Sequence, residues 1–293
     1  MADEKTSRQR SGRLLYLDRL DSKSLLAYYP AMDYAYLSQW LVDYVAAYAA
    51  KYNQIDIWRP PLMACAPADE RFGRLKEIVV GDHALPEDLL EGARSVVVWF
   101  IPFKHHIQAD NVCGPRPSLS WGRAYPSTND MINRAGLAMK ALIEERGGGA
   151  ALTPATHNFD KKRVCSLWSH KHLGHLIGLG RYGTNCQLIT PEGCSGRMGS
   201  LVTDLDLGEH SLVEADELCL LKAGKKCGKC MAACPIEVLG ENGMDRPGCY
   251  ARLRENYHLR MEPDGLPDTT DVCAKCQVGM PCSKKSPLPV DGD

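Results

Sequence analysis

Cys227-Gly-Lys-Cys230-Met-Ala-Ala-Cys234-Pro235 sets three thiols at gaps of two and three residues and ends on a proline. A second pair with a two-residue gap follows, Cys273-Ala-Lys-Cys276, with Cys282 beyond it. Thiolates are soft ligands, and two-residue gaps let a chain curl round one centre, so this pattern can bind a metal ion or a metal cluster. Cys219 and Cys249 bring the set to eight cysteines of the chain's 13. The other five, Cys65, Cys113, Cys165, Cys186 and Cys194, lack metal-ligand spacing and are expected to be small buried hydrophobes.

The first run matches the last three cysteines and the proline of the bacterial ferredoxin pattern C-x2-C-x2-C-x3-C-P. Gly224 stands where that pattern has its first cysteine, and Cys219 is the nearest replacement. Eight thiolates suffice for two 4Fe–4S clusters. Ferredoxin-type pseudo-symmetry crosses the ligands over, which assigns Cys219, Cys227, Cys230 and Cys282 to one cluster. Cys234, Cys249, Cys273 and Cys276 then hold the other. The second motif departs from the pattern, since five residues separate Cys276 from Cys282 and Pro281 precedes the last cysteine. The alternative is a pair of structural zinc sites; the Cys-Pro pair and the ligand count favour iron–sulfur. Lys222, Lys225, Lys226 and Lys229 surround the first run, either to dock an acidic electron donor or as solvated charges.

Two other patterns are weaker. Gly178-Leu-Gly180-Arg-Tyr-Gly183 matches a dinucleotide fingerprint in letters, but a helical stretch precedes it and a strand follows, the reverse of the Rossmann context. His170, His172 and His175 could ligate a metal; ordinary polar contacts account for them more simply.

These residues need elements to position them. Leu37, Trp40, Leu41, Tyr44, Val45 and Tyr48 recur at helical spacing and predict a helix over 33–51, its aromatic stripe packed in the core. The run Ser95-Val-Val-Val-Trp-Phe-Ile101 predicts a buried strand over 93–103, and helices are expected over 128–146 and 168–179. Strands are expected over 186–190 and 198–203. Interleaved helices and strands up to about position 208 give way to a Cys-, Lys-, Gly- and Pro-rich segment, so a boundary is expected near 208–215. A length of 293 residues, 44% of them hydrophobic, suits one large domain or two ordinary ones. The formal net charge of −1 provides no global field for phosphates, so extended nucleic-acid binding is not expected. No long apolar run or apolar leader occurs, which predicts a cytoplasmic chain with a flexible tail over 1–13, no membrane contact and no disulfide scaffold.

Residues 168–207 carry Trp168-Ser-His-Lys-His172, the Gly178 to Gly183 loop, Cys186-Gln-Leu-Ile-Thr190-Pro-Glu-Gly193 and Gly196-Arg-Met-Gly-Ser-Leu-Val-Thr203-Asp-Leu-Asp-Leu207. In these motifs, and over roughly residues 90–285, the chain resembles the epoxyqueuosine reductase family, which is related to the reductive dehalogenases. The resemblance implies an α+β fold: a nitroreductase-like, cobalamin-binding sandwich over 14–208, then a ferredoxin-like domain over 209–293 with two 4Fe–4S clusters. It implies cobalamin held base-off, contacted by Gly180, Tyr182, Gly183, Thr190, Arg197, Gly199 and Ser200, with the glycines letting backbone approach a flat ring. One departure matters. The family motif Gly-Arg-Asp-Tyr-His supplies a general acid, and this chain reads Gly122-Arg123-Ala124-Tyr125-Pro126. Alanine cannot deliver a proton, which leaves Tyr125, and then Asp130, as candidate donors. The implied activity is an iron–sulfur, cobalamin-dependent reduction of an unknown small-molecule or corrinoid substrate, fed by a low-potential ferredoxin- or flavodoxin-type donor. The rivals are a non-catalytic corrinoid-handling or electron-transfer protein, epoxyqueuosine (tRNA) reduction with its acid supplied elsewhere, and a cluster protein using another cofactor such as flavin.

Overall fold

The computed structural model of the chain describes residues 32–153, 159–241 and 243–291. The tail expected over 1–13 lies outside them. Four antiparallel strands form the central sheet: β1 (Leu62–Pro67), β2 (Ser95–Pro102), β3 (Ala150–Ala151) and β4 (Gly196–Thr203), in the order β1-β2-β4-β3. Every residue of β2 is buried, as its unbroken apolar run requires. Its side chains alternate between two cores. Val97, Trp99 and Ile101 join one, while Val96, Val98 and Phe100 join the other with Phe72, Leu75, Trp168 and Leu173.

Two helices cover the first face. Helix α1 (Tyr34–Lys51) starts where Asp33 accepts a hydrogen bond from the Tyr36 N–H at 2.9 Å, and buries Leu37, Leu41, Val45 and Tyr48. Helix α2 (Leu119–Glu144) starts at the Ser118 cap, well ahead of the expected 128. Gly122 and Pro126 are weak helix formers by type, yet both lie inside α2. Pro126 removes one N–H from the ladder, and Gly122 is needed for packing: a Cβ there would lie 2.3 Å from Met261 Sδ. The helix expected over 168–179 is α3 (His170–Leu176), which stops before Gly178 at φ +74°. The strand expected over 186–190 shrinks to Leu188–Ile189, because Cys186 turns the chain at φ +56°.

Beyond β4 the elements are short: α4 (Lys229–Ala232), α5 (Arg246–Asn256) and single turns. This segment packs into the main core, where Tyr257, Met261, Val272 and Val278 share the cluster of α1, α2 and β2. The buried Lys275 ammonium fastens it, donating to the carbonyls of Asn111 at 2.7 Å and Cys113 at 2.9 Å. No helix among the described residues is long and apolar enough to cross a membrane.

Candidate redox site

The short elements after β4 bring the cysteines together in two fours. Gly228, at φ +117°, opens α4, which carries Cys230. Cys219, Cys227, Cys230 and Cys282 line one small cavity together with Thr184 and Asn185. Cys227 is exposed and Cys230 buried, and burial, with the Cys282 sulfur nearby, pushes the Cys230 thiol up to about 11. The Thr184 hydroxyl stands 3.5 Å from Cys219 Sγ. The second four, Cys234, Cys249, Cys273 and Cys276, line a cavity of about 370 Å³. Burial, and then the thiols of Cys273 and Cys234, push Cys249 up to about 11; Cys276 and Cys273 are raised as well, burial again leading. The half-buried thiols of Cys249, Cys273 and Cys276 are thus poor thiolates alone and better ones around positive charge. They border cavities and do not converge on a point: among the described residues no group of three His, Cys, Asp or Glu side chains is placed to hold a single metal ion.

The larger cavity reaches forward from its cysteines to Phe103, Trp121, Tyr125 and Arg197. A second cavity of about 210 Å³ adjoins it and shares Lys171, Gln187, Gly196 and Arg197. Arg197, on β4, lays its guanidinium 3.8 Å from the centroid of the Tyr125 ring on α2. Its buried Nε has no hydrogen-bond partner among the described residues. Lys171 donates to the Cys186 carbonyl at 3.0 Å, and burial holds its ammonium below the ordinary lysine range.

Most of the expected corrinoid contacts lie elsewhere. Of the seven, Arg197 borders the large cavity and Gly183 borders the smaller cysteine cavity. The glycines do not clear space for a ring. A Cβ at Gly180 would meet the Ile189 carbonyl at 2.3 Å, one at Gly183 would meet Asn185 Oδ1 at 2.7 Å, and one at Gly199 would meet Ile132 and Trp99 at 2.6 Å. They serve close packing of the protein against itself. Thr190 is buried and donates to the Gly193 carbonyl; buried Ser200 accepts from Trp168 Nε1 at 2.8 Å. The Tyr182 ring lies between His172 and His175, at centroid distances of 4.9 and 5.5 Å.

Asp130 does not join Tyr125. Five residues further along α2, it faces away and accepts hydrogen bonds from Tyr48 at 2.6 Å and Arg134 at 2.8 Å. Burial opposes its charge, but the two donors outweigh burial and hold its pKa below the usual carboxylate value, so it is no acid at neutral pH. Ala124 also points away from the cavity, into the core, at 1% exposure. The histidines have polar neighbours: His172 Nδ1 pairs with Ser169 Oγ at 2.7 Å and His170 Nδ1 with Ser200 Oγ at 2.9 Å. Burial, then the Lys171 charge, lowers His172 to about 4.

Sequence reasoning missed Trp121, Lys171 and Cys194. Trp121 lay in a stretch not read as helix, although its spacing of four from Tyr125 is a helical signal. Cys194 was set aside for lack of metal spacing. Its buried thiol accepts from Asn185 Nδ2 at 3.6 Å and lies 3.9 Å from the Gln277 carbonyl, and its backbone N–H donates to the Cys282 carbonyl at 2.9 Å.

No protein-family model and no curated protein matches this sequence. Solved structures do match. A selenomethionine-labelled epoxyqueuosine reductase aligns with a TM-score of 0.50 at 14% identity, over 87% of this chain and 68% of its own. An epoxyqueuosine reductase with an epoxyqueuosine-modified tRNA-Tyr stem loop gives 0.51 at 15% identity, with the same coverage. A catabolic reductive dehalogenase in complex with 3-bromo-4-hydroxybenzoic acid gives 0.51 at 14%, over 77% of this chain and 30% of its own. The chain therefore has the mixed helix-and-sheet fold that epoxyqueuosine reductases share with reductive dehalogenases. The likeness read from residues 168–207 extends to the tertiary structure.

Proposed function

We propose that the chain is an iron–sulfur, corrinoid-dependent oxidoreductase, with a nitroreductase-like part over the described residues up to 208 and a two-cluster ferredoxin-like part over the described residues from 209 onward. One observation carries the reading: Cys234, Cys249, Cys273 and Cys276 border the same cavity as Tyr125 and Arg197. A redox centre held by these thiolates would face directly into the cleft where a substrate could sit. Eight cysteines in two fours suit two 4Fe–4S clusters. The orphan Nε of Arg197 and the aromatic wall of Phe103, Trp121 and Tyr125 suit a large ring with polar edges. When bound, the clusters and corrinoid supply one-electron transfer and a reducing cobalt centre.

The chain's own residues do the rest. Exposed Cys227, with Lys222, Lys225, Lys226 and Lys229 around it, offers an entry face to an acidic low-potential donor of ferredoxin or flavodoxin type. Arg197 fixes the Tyr125 ring from above and brings positive charge to the cleft. Tyr125 presents a hydroxyl that can give a proton to a reduced small molecule. Ala124 favours a second reading, a corrinoid-handling or electron-transfer protein, because neither its methyl nor its direction serves proton delivery.

Anaerobically reconstituted chain is expected to hold about eight iron and eight sulfide, as two cubanes require. It is expected to bind cob(II)alamin with an EPR spectrum free of nitrogen splitting, the base-off signature. Two zinc ions and no acid-labile sulfide would overturn the iron–sulfur reading, and clusters without corrinoid binding would leave the electron-transfer reading. Turnover of epoxyqueuosine-modified tRNA stem loop or of 3-bromo-4-hydroxybenzoate would establish an enzyme and separate its substrate classes.

A further inference from the structure

Phe159 pairs with Ser166 and Asp160 with Cys165 across a short antiparallel hairpin, so the residues from Lys161 to Val164 make the turn. The Asp160 carboxylate fixes that turn, accepting from the N–H groups of Lys162 at 2.8 Å and Arg163 at 3.0 Å. Arg163 adds ion pairs to Asp160 and to Asp82, each at 2.7 Å, and so ties the turn to the segment before β2.

The last turn residue, Val164, lies at φ +51°. A turn that ends on a left-handed residue calls for Gly or Asn, and a β-branched side chain there is strained. Core packing does not account for the valine, since it belongs to none of the hydrophobic clusters among the described residues. Its half-buried side chain borders the large cavity instead, together with Phe159 of the same hairpin. The Phe159 ring meets the ring of Tyr250 at 5.5 Å, which seats the hairpin on α5 directly beside Cys249. Val238, near the start of α5, and Leu253 border the same cavity. The hairpin therefore closes an apolar stretch of wall next to the second cysteine set.

We propose that Val164, with Phe159, limits the size of the apolar part of a substrate held in the large cavity. The substrate class is then a small molecule with a compact hydrocarbon or aromatic portion. A size limit needs a wall that does not yield, and the bonds of Asp160 and Arg163 supply it. Val164 is a specificity-determining residue and takes no part in electron or proton transfer. The inference rests on the reading above that a substrate sits in this cavity.

The test is isothermal titration of the anaerobically reconstituted full chain with 4-hydroxybenzoate and with its biphenyl analogue, which adds one ring and keeps both polar groups. Wild type is expected to bind the shorter compound more tightly. Val164→Gly is expected to bind the longer one about tenfold tighter or more, the scale set by space in an apolar pocket, with little change for the shorter. Its urea midpoint is expected at or above the wild-type value, because glycine relieves the left-handed strain. Val164→Asn, similar in bulk and tolerant of this conformation, is expected to keep the size limit, and Val164→Phe to weaken both compounds. An unchanged ratio of the two affinities in Val164→Gly and Val164→Phe would overturn the inference. A markedly lowered midpoint in Val164→Gly would overturn it too, by making Val164 a packing residue. Wild type that binds neither compound would overturn the inference together with the placing of a substrate in this cavity. Wild-type chain without iron would overturn the iron–sulfur reading and leave the affinity ratio to decide this one.

Discussion

Arg197 covers the Tyr125 ring at 3.8 Å although the two residues belong to β4 and α2, and together they face the cysteines of the larger cavity. If the Tyr125 hydroxyl is the proton donor, Tyr125→Phe loses only that oxygen. Turnover of whichever probe substrate the wild type accepts is expected to fall ~100- to 10,000-fold. Iron content and cob(II)alamin binding are expected to stay at wild-type values. Full activity in this variant would remove Tyr125 from the chemistry.

Ala124 stands where the resemblance implied a general acid, but its side chain is buried among apolar neighbours. Ala124→Asp would put a carboxyl where it has neither water nor a built partner. We expect a loss of about 3 kcal/mol or more in urea unfolding and no gain of epoxide reduction. A stable variant that gains activity would show that α2 can rotate this position into the cleft.

The two cysteine sets are expected to be separable. Cys276→Ser removes one proposed ligand at the larger cavity and should leave about four iron per chain, the cluster proposed for Cys219, Cys227, Cys230 and Cys282. Cys230→Ser should leave the complementary cluster. Retention of all iron in either variant would refute the assignment of that cysteine.

His172 is lowered to about 4 by burial, with the Lys171 charge adding to it. The unfolded chain takes up this proton near 6.5 and the folded chain near 4, so the unfolded state binds more protons between those values. The sign follows: stability falls as pH drops from about 6.5 toward 4. After allowance for partial solvent screening, wild type should lose on the order of 1 kcal/mol more than His172→Gln between pH 7 and pH 5. Equal losses in urea unfolding would show that His172 titrates normally.

Gly193 combines φ +83° with the close approach to Ser283. Gly193→Ala should cost about 2 kcal/mol or more in denaturant unfolding and disturb Cys282, so that four iron are lost first. A variant with wild-type stability would mean that the 193 and 283 segments can separate freely.

The amino-acid sequence by itself determined what depends on near neighbours. The helical spacing of Leu37, Leu41, Val45 and Tyr48 marked the buried face of α1, and the apolar run of β2 marked a strand covered on both sides. The short Cys-x2-Cys gaps marked Cys227 with Cys230 and Cys273 with Cys276 as close neighbours, while the tertiary structure decided which other cysteines line the same cavity as each pair. Local chemistry is a poor guide where distant packing reverses a local preference. Gly122 and Pro126 are weak helix formers by type, but Met261, from the far end of the chain, packs where a Gly122 side chain would stand, and α2 runs through both. The glycines of residues 178–199 looked like a cradle for a flat ring, and only the packed structure places Ile189, Asn185 and Trp99 in that space. The direction of Ala124, the distance from Asp130 to the cleft, and the meeting of Cys194 with Cys282 were likewise decided by tertiary structure. Each depends on which face of an element turns inward, and that is set by burial against partners tens to hundreds of residues away, which no spacing rule encodes.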